Sequence, residues 1–198
     1  MPSSFLDISK LSFIVADDSQ FMRRLVLSAL KGFGVRTVVE AATGEAAYGL
    51  VESRLYDICI LDWEFPDRSG ESVMRELRRP GNPLAYQTVI MMSGHSEKRR
   101  IERALRFGVD GYVVKPVAPS TLYAQIRQTI LFPRRYIRTS SYLGPHHPIM
   151  MGADGRPDLA GQSALKQANE NEPRHDVPVD PSASDADRFH IEDVAVLD

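Results

Sequence analysis

One cysteine and one tryptophan are all that the 198 residues hold of either type. No stretch approaches the ~18 consecutive apolar residues that a membrane-spanning helix requires. A lone cysteine excludes a disulfide framework within the chain. Cys59 sits inside the apolar run Ile58-Cys59-Ile60-Leu61, where it reads as a packing residue rather than a reactive thiol. Asp7 and Lys10 precede the first apolar run, so the reading is a cytoplasmic protein with no membrane insertion. Metal-binding pairs are scarce too. His146-His147, between Pro145 and Pro148, reads as an exposed loop dipeptide, since two histidines without partners define no zinc site.

The chain has 43% apolar and 25% charged residues, enough for one good core and a small appendage. Its net charge of −2 hides an asymmetry. Residues 1–143 carry 20 Lys and Arg against 15 Asp and Glu, a surplus of +5, whereas residues 144–198 carry 4 against 11, a deficit of −7. The later stretch also has six prolines and a single aromatic residue, Phe189, too little to offset its ordering entropy by burial. The expectation is a folded domain over 9–132, a docked extension over 133–143 and an acidic, mostly disordered tail over 144–198. Within that tail the apolar residues of the Phe189 to Leu197 stretch read first as a chance cluster, with a short binding motif as the alternative.

Five short apolar runs alternate with segments of helical periodicity in the body. The runs are Leu11 to Ala16, Val35 to Glu40, Asp57 to Leu61, Gln87 to Met92 and Gly111 to Val114. Near-continuous apolar runs of this length suit strands covered on both faces, as in a parallel sheet with crossover helices. Ser19 is placed to cap a helix with apolar positions Phe21, Met22, Leu25, Val26, Ala29 and Leu30, ended by Gly32 and Gly34. Further helices are predicted over Gly44 to Ser53, Gly70 to Arg79, Ser96 to Phe107 and Pro119 to Phe132. The economical architecture is a flavodoxin-like, doubly wound α/β sheet of five parallel strands in order 2-1-3-4-5 with five helices. Such sheets bind ligands beyond the carboxyl ends of the strands, where the strand order reverses.

The residues at those ends are Asp17 and Asp18 after the first run, Asp62 after the third, Ser93 after the fourth and Lys115 after the fifth. Three converging carboxylates repel one another unless a cation compensates them. An all-oxygen set favours a hard divalent ion, Mg²⁺ first and Mn²⁺ as a substitute. A lysine ammonium and a serine hydroxyl suit phosphoryl oxygens. Asp62, standing alone at the middle of the site, is then the candidate nucleophile for an aspartyl phosphate.

The segments Ala16-Asp17-Asp18, Ile60 to Pro66 with Gly70, Met92-Ser93-Gly94 and Gly111 to Pro116 together resemble the motifs of response-regulator receiver domains, with single-domain chemotaxis regulators of the CheY-like type the nearest. The resemblance covers roughly residues 9–132. It implies that Asp62 accepts phosphate, that Asp18 binds Mg²⁺ directly and Asp17 mainly through water, and that the Glu64 backbone carbonyl completes the protein ligands. It also implies that Ser93 and Lys115 hold phosphoryl oxygens, that Tyr112 repacks as Ser93 moves, and that the Lys115-Pro116 peptide is cis. Glu64 and His95 fall on the two variable positions that tune phosphate lifetime in the family. Phe65 stands where the family usually has Met, and Gly94 where it usually has Ala.

The implied partners are a sensor histidine kinase or a histidine phosphotransfer protein, and a downstream protein that the sequence does not name. The implied chemistry is self-phosphorylation and autodephosphorylation rather than turnover of an external substrate. The basic run on the fourth predicted helix, including Arg99, Arg103 and Arg106, is either a solvated surface or a partner face. No DNA binding is expected, because the run is short, lacks interleaved aromatics and is joined to an acidic tail. Two alternatives stand beside this reading. A transcriptional regulator would need a capped, basic helical module after residue 133. A haloacid-dehalogenase-type phosphatase would need its nucleophile on the first strand with a second Asp two residues later, whereas here Glu64 follows Asp62.

Overall fold

The computed structural model describes residues 6–147. Five parallel strands form the central sheet: β1 (Ser12–Ala16), β2 (Thr37–Ala41), β3 (Ile58–Asp62), β4 (Val89–Ser93) and β5 (Gly111–Val114), in the order β2-β1-β3-β4-β5. Five helices connect or follow them: α1 (Gln20–Gly32), α2 (Gly44–Ser53), α3 (Gly70–Leu77), α4 (Lys98–Arg106) and α5 (Pro119–Leu131). The flavodoxin-like topology expected from the alternation is therefore present, with strand limits shifted by one or two residues. A short 3-10 helix, Pro83–Tyr86, precedes β4. It begins at Asn82, whose side chain accepts from Leu84 N, an arrangement that Pro83 favours by fixing its φ.

Burial of the strands on both faces creates two apolar layers. On one, Ile14, Leu61 and Met91 pack with Val51, Met74, Leu77 and Ala104 from α2, α3 and α4. On the other, Phe13, Ile60 and Ile90 pack with Val26 and Leu30 of α1 and Leu122 and Ile126 of α5. Each such side chain contributes about 1.5–3 kcal/mol on burial, which fixes the strand register and so the position of every strand end. Cys59 belongs to the first layer, and burial pushes its thiol up to about 12. One helix position departs from expectation. Phe21 is 74% exposed, because α1 turns Met22, Val26 and Leu30 toward the sheet and carries Phe21 on its outer face.

Past α5 the chain does not stop folding. Strands β6 (Tyr136–Arg138) and β7 (Leu143–Pro145) form an antiparallel hairpin. It docks at the amino-terminal end of β4 and β5, the pole opposite the carboxyl ends. Arg78, only 2% exposed, anchors it. Its guanidinium donates to the carbonyls of Gly108, Ala85 and Gln87 and to Asp110 Oδ2 at 3.1 Å, while its own carbonyl accepts from Leu143 N. Tyr136 OH donates to Asp110 Oδ1, and its ring lies 5.1 Å from that of Tyr86. Burial raises the Asp110 pKa even against the attraction of Arg78.

The folded region thus reaches beyond the boundary expected at 143. His147, which the sequence places in an exposed loop, is instead 1% exposed, with Nε2 2.8 Å from the carbonyl of Val109. The carbonyl can only accept, so Nε2 carries the proton. The hairpin brings the chain back over the α4–β5 loop, which local sequence reading does not foresee. The tail from residue 148 onward, including the Phe189 to Leu197 stretch, lies outside the described residues.

Candidate functional site

The carboxyl ends of β1, β3, β4 and β5 meet at one edge of the sheet, and backbone hydrogen bonds between neighbouring strands hold the site residues there. Asp17 N donates to Ala41 O, Trp63 N to Met92 O and Lys115 N to Ser93 O. Asp17, Asp18 and Asp62 each place a carboxylate oxygen within 4.8 Å of the others. Asp17 is fully buried, Asp62 nearly so, and Asp18 is exposed.

Lys115 reaches across from β5. Its Nζ lies 2.7 Å from Asp62 Oδ2, to which it donates, and 2.7 Å from Asp17 Oδ2. Asp17 Oδ2 is thus buried with the Lys115 ammonium as its partner. Burial raises the Asp62 pKa, and the neighbouring Asp17 charge pushes the same way, against Lys115. Burial alone would lower the pKa of Lys115, but its two carboxylate partners raise it, so the ammonium form prevails. One cation therefore faces three carboxylates, leaving an acidic surplus. That is the electrostatic condition in which a hard divalent ion is accommodated.

The loops around the trio are fixed from several directions. Ser19 N donates to Asp17 Oδ1, and the Ser19 hydroxyl caps α1 by accepting from Met22 N. Arg23 donates to the Asp17 carbonyl and pairs with Glu40 at 3.0 Å, pinning the β1–α1 turn to β2. Gly70 N donates to Trp63 O, and a Cβ at Gly70 would collide with the Asp62 carbonyl. Glycine is thus demanded by the approach of α3 to the Asp62 backbone. Asp67, in the same β3–α3 loop, accepts from Gly44 N and Glu45 N at the start of α2. Those backbone donors lower its pKa although partial burial opposes them. Sequence reading missed Asp67, since its partners lie more than twenty residues away.

At the mouth of the site the two variable positions meet. His95 Nε2 and Glu64 Oε1 are 2.8 Å apart, and His95 N donates to Ser93 Oγ at 3.1 Å. Tyr112 OH donates to the carbonyl of His95, so Tyr112, His95 and Ser93 form one connected group at the ends of β4 and β5. Burial raises the Tyr112 pKa. Phe65 and Trp63 pack against the core layer, with Trp63 edge-on to Phe107 at 6.3 Å. The Lys115-Pro116 peptide is cis. Of the three arginines considered as a partner face, Arg99 is exposed, whereas Arg103 turns toward α3 and pairs with Glu71 at 2.9 Å and Arg106 is half-buried. They do not form one uniform surface.

The strand order, together with the acidic trio, the hydroxyl and the lysine at one sheet edge, defines the class: a receiver-type domain of two-component signalling. The response regulator receiver domain model matches residues 13–127, and the chain belongs to that family. Chemotaxis protein CheY of Pseudomonas aeruginosa is 29% identical over 118 residues, which are 60% of this chain and 94% of that protein. Among solved structures, the signal receiver domain of NarL from Mycobacterium tuberculosis aligns with a TM-score of 0.55 at 27% identity, covering 63% of this chain and 98% of that one. The receiver domain of the sensor histidine kinase PA1611 from P. aeruginosa PAO1 shares the fold, with a TM-score of 0.54 at 23% identity over 60% of this chain and 95% of that one. That domain has a magnesium ion coordinated in its active site cleft.

Proposed function

We propose that the chain is a phosphorylation switch in which Asp62 accepts a phosphoryl group from a phosphohistidine of a sensor kinase or histidine phosphotransfer protein. The observation that carries this reading is the position of Lys115, bound at once to Asp62 and Asp17 at the edge where Ser93 and Asp18 also end. A carboxylate oxygen of Asp62 attacks phosphorus, an O–P bond forms, and the N–P bond to the donor imidazole breaks with its electron pair going to that nitrogen, so that a donor ring protonated on its other nitrogen leaves as a neutral histidine. The side chains of Asp17, Asp18 and Asp62 would hold Mg²⁺, or Mn²⁺ in its place, with the Glu64 carbonyl as a further oxygen. When bound, that ion neutralises charge on the transferred phosphoryl group. Lys115 is released from one carboxylate to a phosphoryl oxygen, and the Ser93 hydroxyl donates to another. Moving Ser93 pulls on His95 and Tyr112, which are already hydrogen-bonded in series. Such a site hydrolyses its own acyl phosphate and turns over no external substrate. The switch then acts through a downstream protein rather than through DNA.

A small acyl-phosphate donor tests the assignment without the cognate kinase. Intact mass should show one phosphoryl group added in the presence of Mg²⁺ and none in excess chelator, and Asp62→Ala should gain none. Equal phosphorylation of Asp62→Ala and the natural sequence would remove Asp62 from the role.

A further inference from the structure

A groove of about 560 Å³ opens between β5, α5 and the segment that leads into the β6–β7 hairpin. Tyr112 and Gln128 line it from the domain, and Phe132, Arg134, Arg135 and His146 from the extension. Its character is mixed. Phe132, which lines it, is 64% exposed, and Leu131, next to it in sequence, is exposed outside the lining. Arg134 and Arg135 are exposed and form no ion pair among the described residues. The carboxylate in the lining, Asp110, is already held by Arg78. The groove therefore offers uncompensated positive charge beside uncovered apolar surface, the complement of a segment that is both acidic and apolar.

Such a segment exists in the chain itself. Residues 187–198 read Asp-Arg-Phe-His-Ile-Glu-Asp-Val-Ala-Val-Leu-Asp, with four carboxylate side chains against one arginine, and with Phe189, Ile191, Val194, Val196 and Leu197 interspersed. Its sign follows the larger division of charge between the +5 of residues 1–143 and the −7 of residues 144–198. Geometry allows the meeting. His146 is part of the groove wall, so the chain leaves the described region at the rim. The roughly forty residues from there to Phe189 can extend on the order of 140 Å at about 3.5 Å each, and tethering supplies an effective concentration of about a millimolar.

From this complementarity we infer that residues 187–198 dock intramolecularly in the groove between α5 and the β6–β7 hairpin. The acidic side chains of the segment meet Arg134 and Arg135, while its apolar side chains cover Phe132. The docked segment then lies over the edge of Tyr112 and competes with any protein that reads that side of the domain. This goes beyond phosphate transfer and does not depend on it.

Cys59 is buried and unreactive, so Ala195→Cys provides a single attachment point for a nitroxide on the full chain. Amide resonances of residues 110–112 and 125–135 should lose intensity severalfold when the label is oxidised, relative to reduced, while those of α1 should not. Arg134→Glu with Arg135→Glu, both at exposed positions, should restore most of that intensity. Absence of broadening, broadening centred elsewhere, or broadening unchanged by the charge reversals would overturn the inference. Broadening that grows with protein concentration would also overturn it, because it would place the segment on a second copy. None of these outcomes alters phosphorylation of Asp62, so the two readings fail separately.

Discussion

Acidification should weaken the fold through one residue, His147. In the folded chain its ring is buried with Nε2 donating to Val109 O, and burial lowers its pKa from 6.5 to about 4, with the positive neighbours Arg134 and His146 adding to the effect. The unfolded chain keeps the ordinary value, so below pH 6.5 it binds a proton that the folded chain excludes. The stabilisation from neutral His147 is thus fully present above pH 6.5 and is lost as pH falls toward 4. A separation of about 2.5 pKa units corresponds to about 3.4 kcal/mol in full, of which about 2 kcal/mol is lost between pH 7 and pH 5. Asp110, with a raised pKa, contributes in the opposite sense and has to be removed from the comparison. His147→Asn does this: it keeps a donor for Val109 O, has no titration in the window, and leaves every other group in place. Urea unfolding at pH 7 and pH 5 should show the natural sequence losing about 2 kcal/mol more than the variant. Parallel losses in the two proteins would mean that His147 is accessible or already charged in the fold, and the docking of residues 144–147 would be wrong.

Three further outcomes follow from the geometry. Glu64→Asn should change the autodephosphorylation rate constant, most simply upward, because the carboxylate that closes the mouth against His95 is gone; equal decay at saturating Mg²⁺ would refute this. Arg78→Met should destabilise the chain by about 3–5 kcal/mol, since it leaves Asp110 buried without its cation, and a loss below about 1 kcal/mol on thermal or urea unfolding would show that water reaches the pair. Gly70→Ala should lower stability and slow phosphorylation together, because the added methyl displaces the Asp62 backbone; unaltered kinetics in a folded variant would show that α3 shifts instead.

The sheet was legible because its evidence is local. Ile58 to Leu61 and Val89 to Met92 are too apolar for any place but a covered strand, and the helices between them are punctuated by Ser19, Gly44 and Pro119. That Asp17, Asp18, Asp62, Ser93 and Lys115 share one edge of the sheet was legible for the same reason, since each stands at the end of such a run. What was hidden depends on distance along the chain. The Glu64–His95 contact spans 31 residues, and Arg78 reaches Asp110 across 32, with nothing in either neighbourhood to announce the partner. Arg78 reads as the basic end of a helix, a position usually left in water. The hairpin escaped because three-residue strands carry no readable alternation, and because the partners of Tyr142 and Leu143 include Gly108 and Arg78, far back in the chain.

The buried Arg78 also sets where this domain can be cut and joined. A chimera with its seam after α5, at the boundary the apolar pattern suggests, would strip Tyr136, Tyr142 and Leu143 from around a guanidinium that remains committed to four acceptors in the interior. The donor fragment would carry an opened polar seam at its base, and the recipient would receive a hairpin with nothing to clasp. Recombination that preserves the unit has to place its junction after His147, so this domain travels with its own buckle or not at all.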